Sequence, residues 1–214
     1  MKKNLFLHLS VLAVLIVFVS ACSSKKTEYT NVIPADASQV VELNMKSLSD
    51  KAGMKDKETK EALQKLTDAM KSGMNAATFQ QLEAVLKDPA KSGVDVDAPI
   101  YIFNAPAFPY TSLVAKVTNE DDLLKLLEVM EKEQVTAHVA EADGYSFVKL
   151  SNQALLAFTP TTLMVVSYKG NTQLEKAKEG ITALLKQTGE NSINSNAAFK
   201  KMQKQGGDVN MLIS

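Results

Sequence analysis

The sequence predicts an α+β fold, a largely antiparallel sheet built from hairpins with helices packed mainly on one side. Three observations carry this. Asp143-Gly144, a pair suited to a two-residue hairpin turn, sits between strand-like runs at 135–142 and 145–151. A second apolar hairpin follows, Ala154–Phe158 and Leu163–Tyr168 around Thr159-Pro160-Thr161. Several other stretches repeat their apolar residues at spacings of three and four, as helices with one buried stripe do.

In chain order, Val40–Met45 reads as a strand with Val41, Leu43 and Met45 on one face. Helices are expected over Lys55–Ser72, carrying Leu63, Leu66 and Met70, and over Asn75–Lys87, carrying Phe79, Leu82, Val85 and Leu86, with Gly73 in the turn between them. After a polar connection at Lys91–Pro99 come strands at Ile100–Phe103 and Ser112–Val117. Asn119 caps the next helix, whose first turn holds Glu120, Asp121 and Asp122 and whose stripe is Leu123, Leu124, Leu127 and Met130. A turn centred on Asp143-Gly144 sets Ala142 against Tyr145, Ala140 against Phe147, Val139 against Val148, His138 against Lys149 and Ala137 against Leu150. The long apolar runs of the second hairpin suit central strands. Asn171 starts a helix with Leu174, Ala177, Ile181, Leu184 and Leu185 inward, and Ser195–Gln205 is a further helix, broken by Gly206-Gly207 before a strand at Asp208–Ile213. That strand resembles the one at 38–45, and no polar tail follows it, so the domain is expected to be truncated at its C-terminal end.

The N-terminus reports an address. Lys2 and Lys3, an apolar run from Leu5 to Val19 and the small residues Ser20-Ala21 form a secretory signal over 1–21. Val19-Ser20-Ala21-Cys22 resembles the lipobox of bacterial lipoproteins, which implies cleavage before Cys22 and acylation of its sulfur. The alternative is an uncleaved membrane helix, for which this run is at the lower length limit. Residues 22–31 read as a polar tether and 32–214 as the α+β domain.

Composition narrows function. Loss of Lys2 and Lys3 takes the 24 basic residues to 22 against 24 Asp and Glu, a net charge near −2. That gives no basic surplus for nucleic acid. Every basic residue is lysine, which counts against bidentate recognition of phosphate or carboxylate. Cys22 is the single cysteine, so lipidation leaves no thiol for a disulfide, metal site or nucleophile.

A search for chemistry assigns no catalytic, cofactor-binding or metal-binding residue. His138 stands without a nucleophile or orienting acid. Asp95 and Asp97 are too few for a calcium loop, and Glu120, Asp121 and Asp122 are explained by the helix dipole. The stretch Phe103-Asn104-Ala105-Pro106-Ala107-Phe108-Pro109-Tyr110 combines two prolines with three aromatics. Phe103, Phe108 and Tyr110 are candidate partner contacts; the competing reading is a rigid hairpin whose aromatics tuck into the core.

As a whole the chain resembles the domain-of-unknown-function family 4836 of Gram-negative lipoproteins. The features are the lipobox at Cys22, the polar tether, Ile33-Pro34-Ala35-Asp36-Ala37 before the first strand, and Asn196-Ala197-Ala198-Phe199 ahead of Asp208-Val209. The resemblance implies no activity. The expected function is a lipid-anchored binding or scaffold protein of the cell envelope, non-enzymatic, with an envelope protein or glycan as partner. It is expected on the outer membrane, periplasm-facing or surface-exposed. The alternatives are an envelope hydrolase, which needs a deep cleft with two raised-pKa carboxylates, and a periplasmic lipid or lipoprotein carrier, which needs an apolar cavity between sheet and helices.

Overall fold

The structure is a computed structural model and describes residues 27–53, 56–151 and 153–214. Eight strands form one antiparallel sheet: β1 (Gln39–Leu43), β2 (Ile100–Ala105), β3 (Phe108–Lys116), β4 (Ala140–Ala142), β5 (Tyr145–Ser151), β6 (Ala154–Phe158), β7 (Thr162–Ser167) and β8 (Val209–Ile213). Their order is β4-β5-β6-β7-β3-β2-β1-β8. The helices are α1 (Met45–Lys51), α2 (Lys57–Gly73), α3 (Ala76–Lys87), α4 (Glu120–Lys132), α5 (Gly170–Leu185) and α6 (Ala197–Gln205). The fold is therefore α+β on an antiparallel sheet, as expected.

The helices do not gather mainly on one side. One core joins Val40, Phe103, Val114, Leu155, Ala157 and Val166 of the sheet to Leu174, Ala177 and Ile181 of α5 and Phe199 and Met202 of α6. A second core joins Ala115, Val148, Leu156, Phe158 and Leu163 to Phe79 and Leu82 of α3 and Leu123 and Leu127 of α4. The reason lies in the central strands. Leu155 and Ala157 of β6 face one way and Leu156 and Phe158 the other, all almost fully buried, so both faces of the sheet need a cover.

The Asp143-Gly144 hairpin has the expected register, with Ala142 opposite Tyr145 and Ala140 opposite Phe147. Gly144 sits at φ +86°, the left-handed geometry this turn requires. Strand pairing stops at Ala140, earlier than expected, although Ala137 N–H still donates to the Lys149 carbonyl at 3.0 Å. Asn119 and Asn196 cap α4 and α6 through their side-chain oxygens. Met45 does not extend β1. Asn44 ends the strand and caps α1, accepting a bond from Ser47 N–H at 3.2 Å.

The folded body begins inside the segment expected to be tether. Thr27–Val32 is a 3-10 helix, and Tyr29, Thr30, Val32 and Ile33 are all buried. The Tyr29 hydroxyl donates to the Pro99 carbonyl at 2.8 Å, and Ile193 N–H donates to the Ile33 carbonyl at 2.8 Å. Two apolar residues and an aromatic beside an open sheet face outweigh the polar residues between them.

Candidate functional site

Pro106 and Pro109 suggest a long loop between β2 and β3, but the strands run on to a two-residue turn at Pro106-Ala107, with Ala105 opposite Phe108. A register shift between Phe103 and Ala105 bends the hairpin. Pro109 is tolerated because β3 pairs with β7 only from Ser112 onward, so its missing N–H breaks no bond there. Phe103 is fully buried and stacks on Phe108 with ring centroids 6.5 Å apart; Phe108 meets Tyr110 edge-on at 4.9 Å. Phe103 is thus a core residue and no partner contact, Phe108 is 2% exposed, and Tyr110 alone of the three keeps substantial surface. Burying the rings of Phe103 and Phe108 outweighs displaying them.

Phe108 lies against Gly180 of α5, where a Cβ would come within 2.4 Å of Cε2 of the ring. The junction leaves a shallow pocket of about 390 Å³, lined by Pro34, Asp36, Phe108, Leu184, Gln187 and Asn191 among others. Its walls are chiefly apolar and its rim carries one carboxylate and two amides. Gln187 Oε1 is buried with no hydrogen-bond partner among the described residues.

An exposed apolar strip lies elsewhere. Among the described residues, the large hydrophobic side chains left exposed are Val209 (53%), Met211 (55%) and Ile213 (72%). All three are on β8, the edge strand beside β1. Leu212 packs into the core shared with α5 and α6, so the three alternate residues point to the opposite face. There they line up across the sheet with half-buried neighbours, Met211 with Val41 and Ile102, and Val209 with Leu43 and Ile100. The backbone follows the same alternation. Ser214 N–H donates to Ser38 and Asn44 N–H to the Asp208 carbonyl, so even-numbered residues bond to β1. The N–H and C=O groups of Val209, Met211 and Ile213 point outward, where no strand lies among the described residues.

A buried polar row holds β8 in this register. Glu42 on β1 is 5% exposed; its Oε1 accepts from the Tyr101 hydroxyl of β2 at 3.0 Å and its Oε2 from Asn210 Nδ2 of β8 at 2.9 Å. Gln203 Nε2 of α6 donates to the Tyr101 oxygen at 3.2 Å, and the Tyr29 and Tyr101 rings stand 6.0 Å apart. Burial, with the Glu42 charge beside them, pushes both phenols above their ordinary range. At the start of β8, hydrogen bonds from Lys51, at 2.6 Å, and from Ser47 hold the Asp208 carboxyl below its usual value.

The other sequence candidates have structural partners. Burial raises the Asp95 pKa, but the 2.7 Å bond from Lys116 and the backbone N–H groups of Asp97 and Ala98 outweigh it and hold it below the usual range. Asp122 accepts from Asn119 Nδ2 and Lys125 Nζ at the start of α4. His138 Nδ1 lies 3.0 Å from the Glu131 carboxylate of α4, an acidic neighbour that the sequence reading did not supply. Among the described residues no cluster of three or more His, Cys, Asp or Glu could hold a metal ion, and no helix is long and apolar enough to cross a membrane. Cys22 lies outside the described residues.

Fold and surface together define an α+β domain whose edge strand β8 carries exposed apolar side chains among the described residues. The family described as Domain of unknown function (DUF4836) matches residues 29–214, and the chain belongs to it. No curated protein sequence matches the chain. Two solved structures are similar at 12% identity: crystal form IV of TP0453 (TM-score 0.44, 86% of this chain and 63% of that one) and crystal form III of TP0453 (TM-score 0.42, 89% and 64%). The chain therefore spans under two thirds of the length of either.

Proposed function

We propose that the protein is a lipid-anchored cell-envelope scaffold that binds another protein chain by adding a strand to β8, without catalysing a reaction. The observation that carries this is the coincidence on Val209, Met211 and Ile213 of exposed apolar side chains and outward-facing backbone groups. An extended polypeptide satisfies both at once, with main-chain bonds for affinity and alternate side chains for selectivity; a glycan satisfies neither in that pattern. The lipobox-like end at Cys22 supports an anchor formed by acylation, on the outer membrane of a Gram-negative cell.

Two alternatives have less support. A carboxylate-based hydrolase calls for raised carboxyl pKa values, whereas Asp95, Asp143 and Asp208 are all held low by lysine partners. A lipid carrier calls for a deep apolar cavity between sheet and helices, whereas the pocket between Phe108 and α5 is shallow and the two cores pack the layers on either side of the sheet.

The test places a photo-crosslinking side chain at position 211 in the full chain in its native membrane. A covalent adduct with a polypeptide is expected, together with a membrane-fraction mass of the Cys22-started chain plus acyl groups. No adduct at 211 overturns the edge as binding surface. A Cys22→Ala chain still held by the membrane overturns the anchor.

A further inference from the structure

The pocket between the β2–β3 turn and the end of α5 is, we propose, a binding site for a primary ammonium group on a short aliphatic stem. Its lining includes no residue of β8, so it stands or falls apart from the strand-binding reading. The walls are held firmly. The Ile33 carbonyl accepts from Ile193 N–H at 2.8 Å, Pro34 bridges Ser192, and Ala37 N–H closes the turn over Asp36 by donating to the Pro34 carbonyl at 3.1 Å. Across the pocket, Gln187 N–H donates to the Leu184 carbonyl and Asn191 N–H to the Thr188 carbonyl, both at 3.1 Å. The missing side chain of Gly180 lets the Phe108 ring close one wall. Walls fixed in this way lose little freedom on binding.

Three polar side chains line the pocket without partners. Gln187 Oε1 is buried and accepts no hydrogen bond, and the Asp36 carboxylate and the Asn191 amide side chain have no hydrogen bond or ion pair among the described residues. A buried acceptor costs free energy unless something donates to it. Elsewhere on this surface Asp95, Asp122, Asp143 and Asp208 each hold a lysine. Among the described residues no lysine lines this pocket, and Lys186, next to Gln187, is turned away to Asp143 at 2.8 Å.

The balance of charge is negative. The carboxylate and the orphaned oxygen are joined by the carbonyl end of α5, whose last turn carries no basic side chain and supplies Ala183 and Leu184 to the wall. An ammonium has three donors and no acceptor, the complement of these groups. A carboxylate or phosphate meets repulsion there. A sugar has hydroxyls on every side, against walls that are chiefly apolar. Pro34, Ala107, Phe108 and Leu184 suit a stem of a few methylenes, and the shallowness of the pocket suits a short one.

The experiment follows butylamine binding to the full-length chain in zwitterionic nanodiscs by saturation-transfer NMR. Butylamine is expected to bind at least about tenfold more tightly than butyrate, which has a similar stem and the opposite charge. Gln187→Met is expected to weaken butylamine about tenfold and also to raise the urea midpoint, because it removes a buried acceptor that nothing serves in the free protein. Asp36→Asn is expected to weaken it up to about fivefold with the midpoint unchanged, as suits an exposed charge. Glu61→Gln, exposed on α2, should change neither. Equal binding of butylamine and butyrate would overturn the proposal. So would butylamine binding that Gln187→Met and Asp36→Asn leave unmoved, or no binding at all. A blocked lysine tripeptide that binds as tightly as butylamine would make a polypeptide lysine the source of the ammonium; binding of butylamine alone would make it a free amine.

Discussion

The ring of Phe108 occupies the space that a side chain at position 180 would need: a Cβ on Gly180 would fall 2.4 Å from its Cε2. In an ordinary helix interior Gly→Ala stabilises by about 1 kcal/mol. Here the added methyl must displace a buried ring, at a cost of about 1–3 kcal/mol. Gly180→Ala is therefore expected to lower the urea midpoint. Phe108→Ala alone is expected to cost about 3–5 kcal/mol, and the double variant less than the sum of the two, because the first clash is removed by the second change.

Tyr101 donates to Glu42 and accepts from Gln203, which ties β1, β2 and α6 together. Tyr101→Phe leaves a buried carboxylate oxygen without its donor and is expected to cost about 1.5–3 kcal/mol. Hydrogen exchange should quicken in β8, whose Asn210 shares that carboxylate. Unchanged exchange there would show that Glu42 does not hold the edge.

Asp95 gives the fold a pH dependence of known sign. Its folded-state pKa lies below the ordinary 3.8, so the carboxylate stabilises the fold above that pH and the contribution is lost as pH falls below it. Asp95→Asn is expected to cost about 1–2 kcal/mol at neutral pH, the worth of a charged hydrogen bond. The gap to the parent chain should narrow between pH 5 and pH 3. Urea midpoints across a pH series measure it.

Asn196 accepts from both Ala198 and Phe199 N–H at the start of α6. Asn196→Ala is expected to cost about 1 kcal/mol and Asn196→Asp little. Because α6 carries Phe199 into the core beside Tyr101, circular-dichroism melts should report the loss as a global shift.

What was legible in the sequence was what local chemistry decides. Asp143-Gly144 set a hairpin register because the turn type and the period of two leave no freedom. Asn119 was a readable cap because its oxygen acts within three residues. The double-sided cover was not legible: a helical stripe shows that a face is buried, without showing which side of the sheet receives it. Nor was the β2–β3 hairpin, since Pro106 and Pro109 look like loop residues until β7 is known to pair beyond them. The edge site depended on the partner of β8. Val209, Met211 and Ile213 alternate with Asn210 and Leu212 plainly enough, but only pairing with β1 turns one set inward and leaves the other open.

The burial of Tyr29 has a mechanical consequence. If Cys22 is the first residue and carries the lipid, five peptide links separate it from Thr27, where the 3-10 helix begins, a leash of at most about 18 Å. The domain would then ride at the membrane surface and could not sweep the space beyond it. Whatever meets it must come to the headgroups, and small insertions into 23–26 would lengthen its radius of capture while leaving the Thr27–Val32 helix intact.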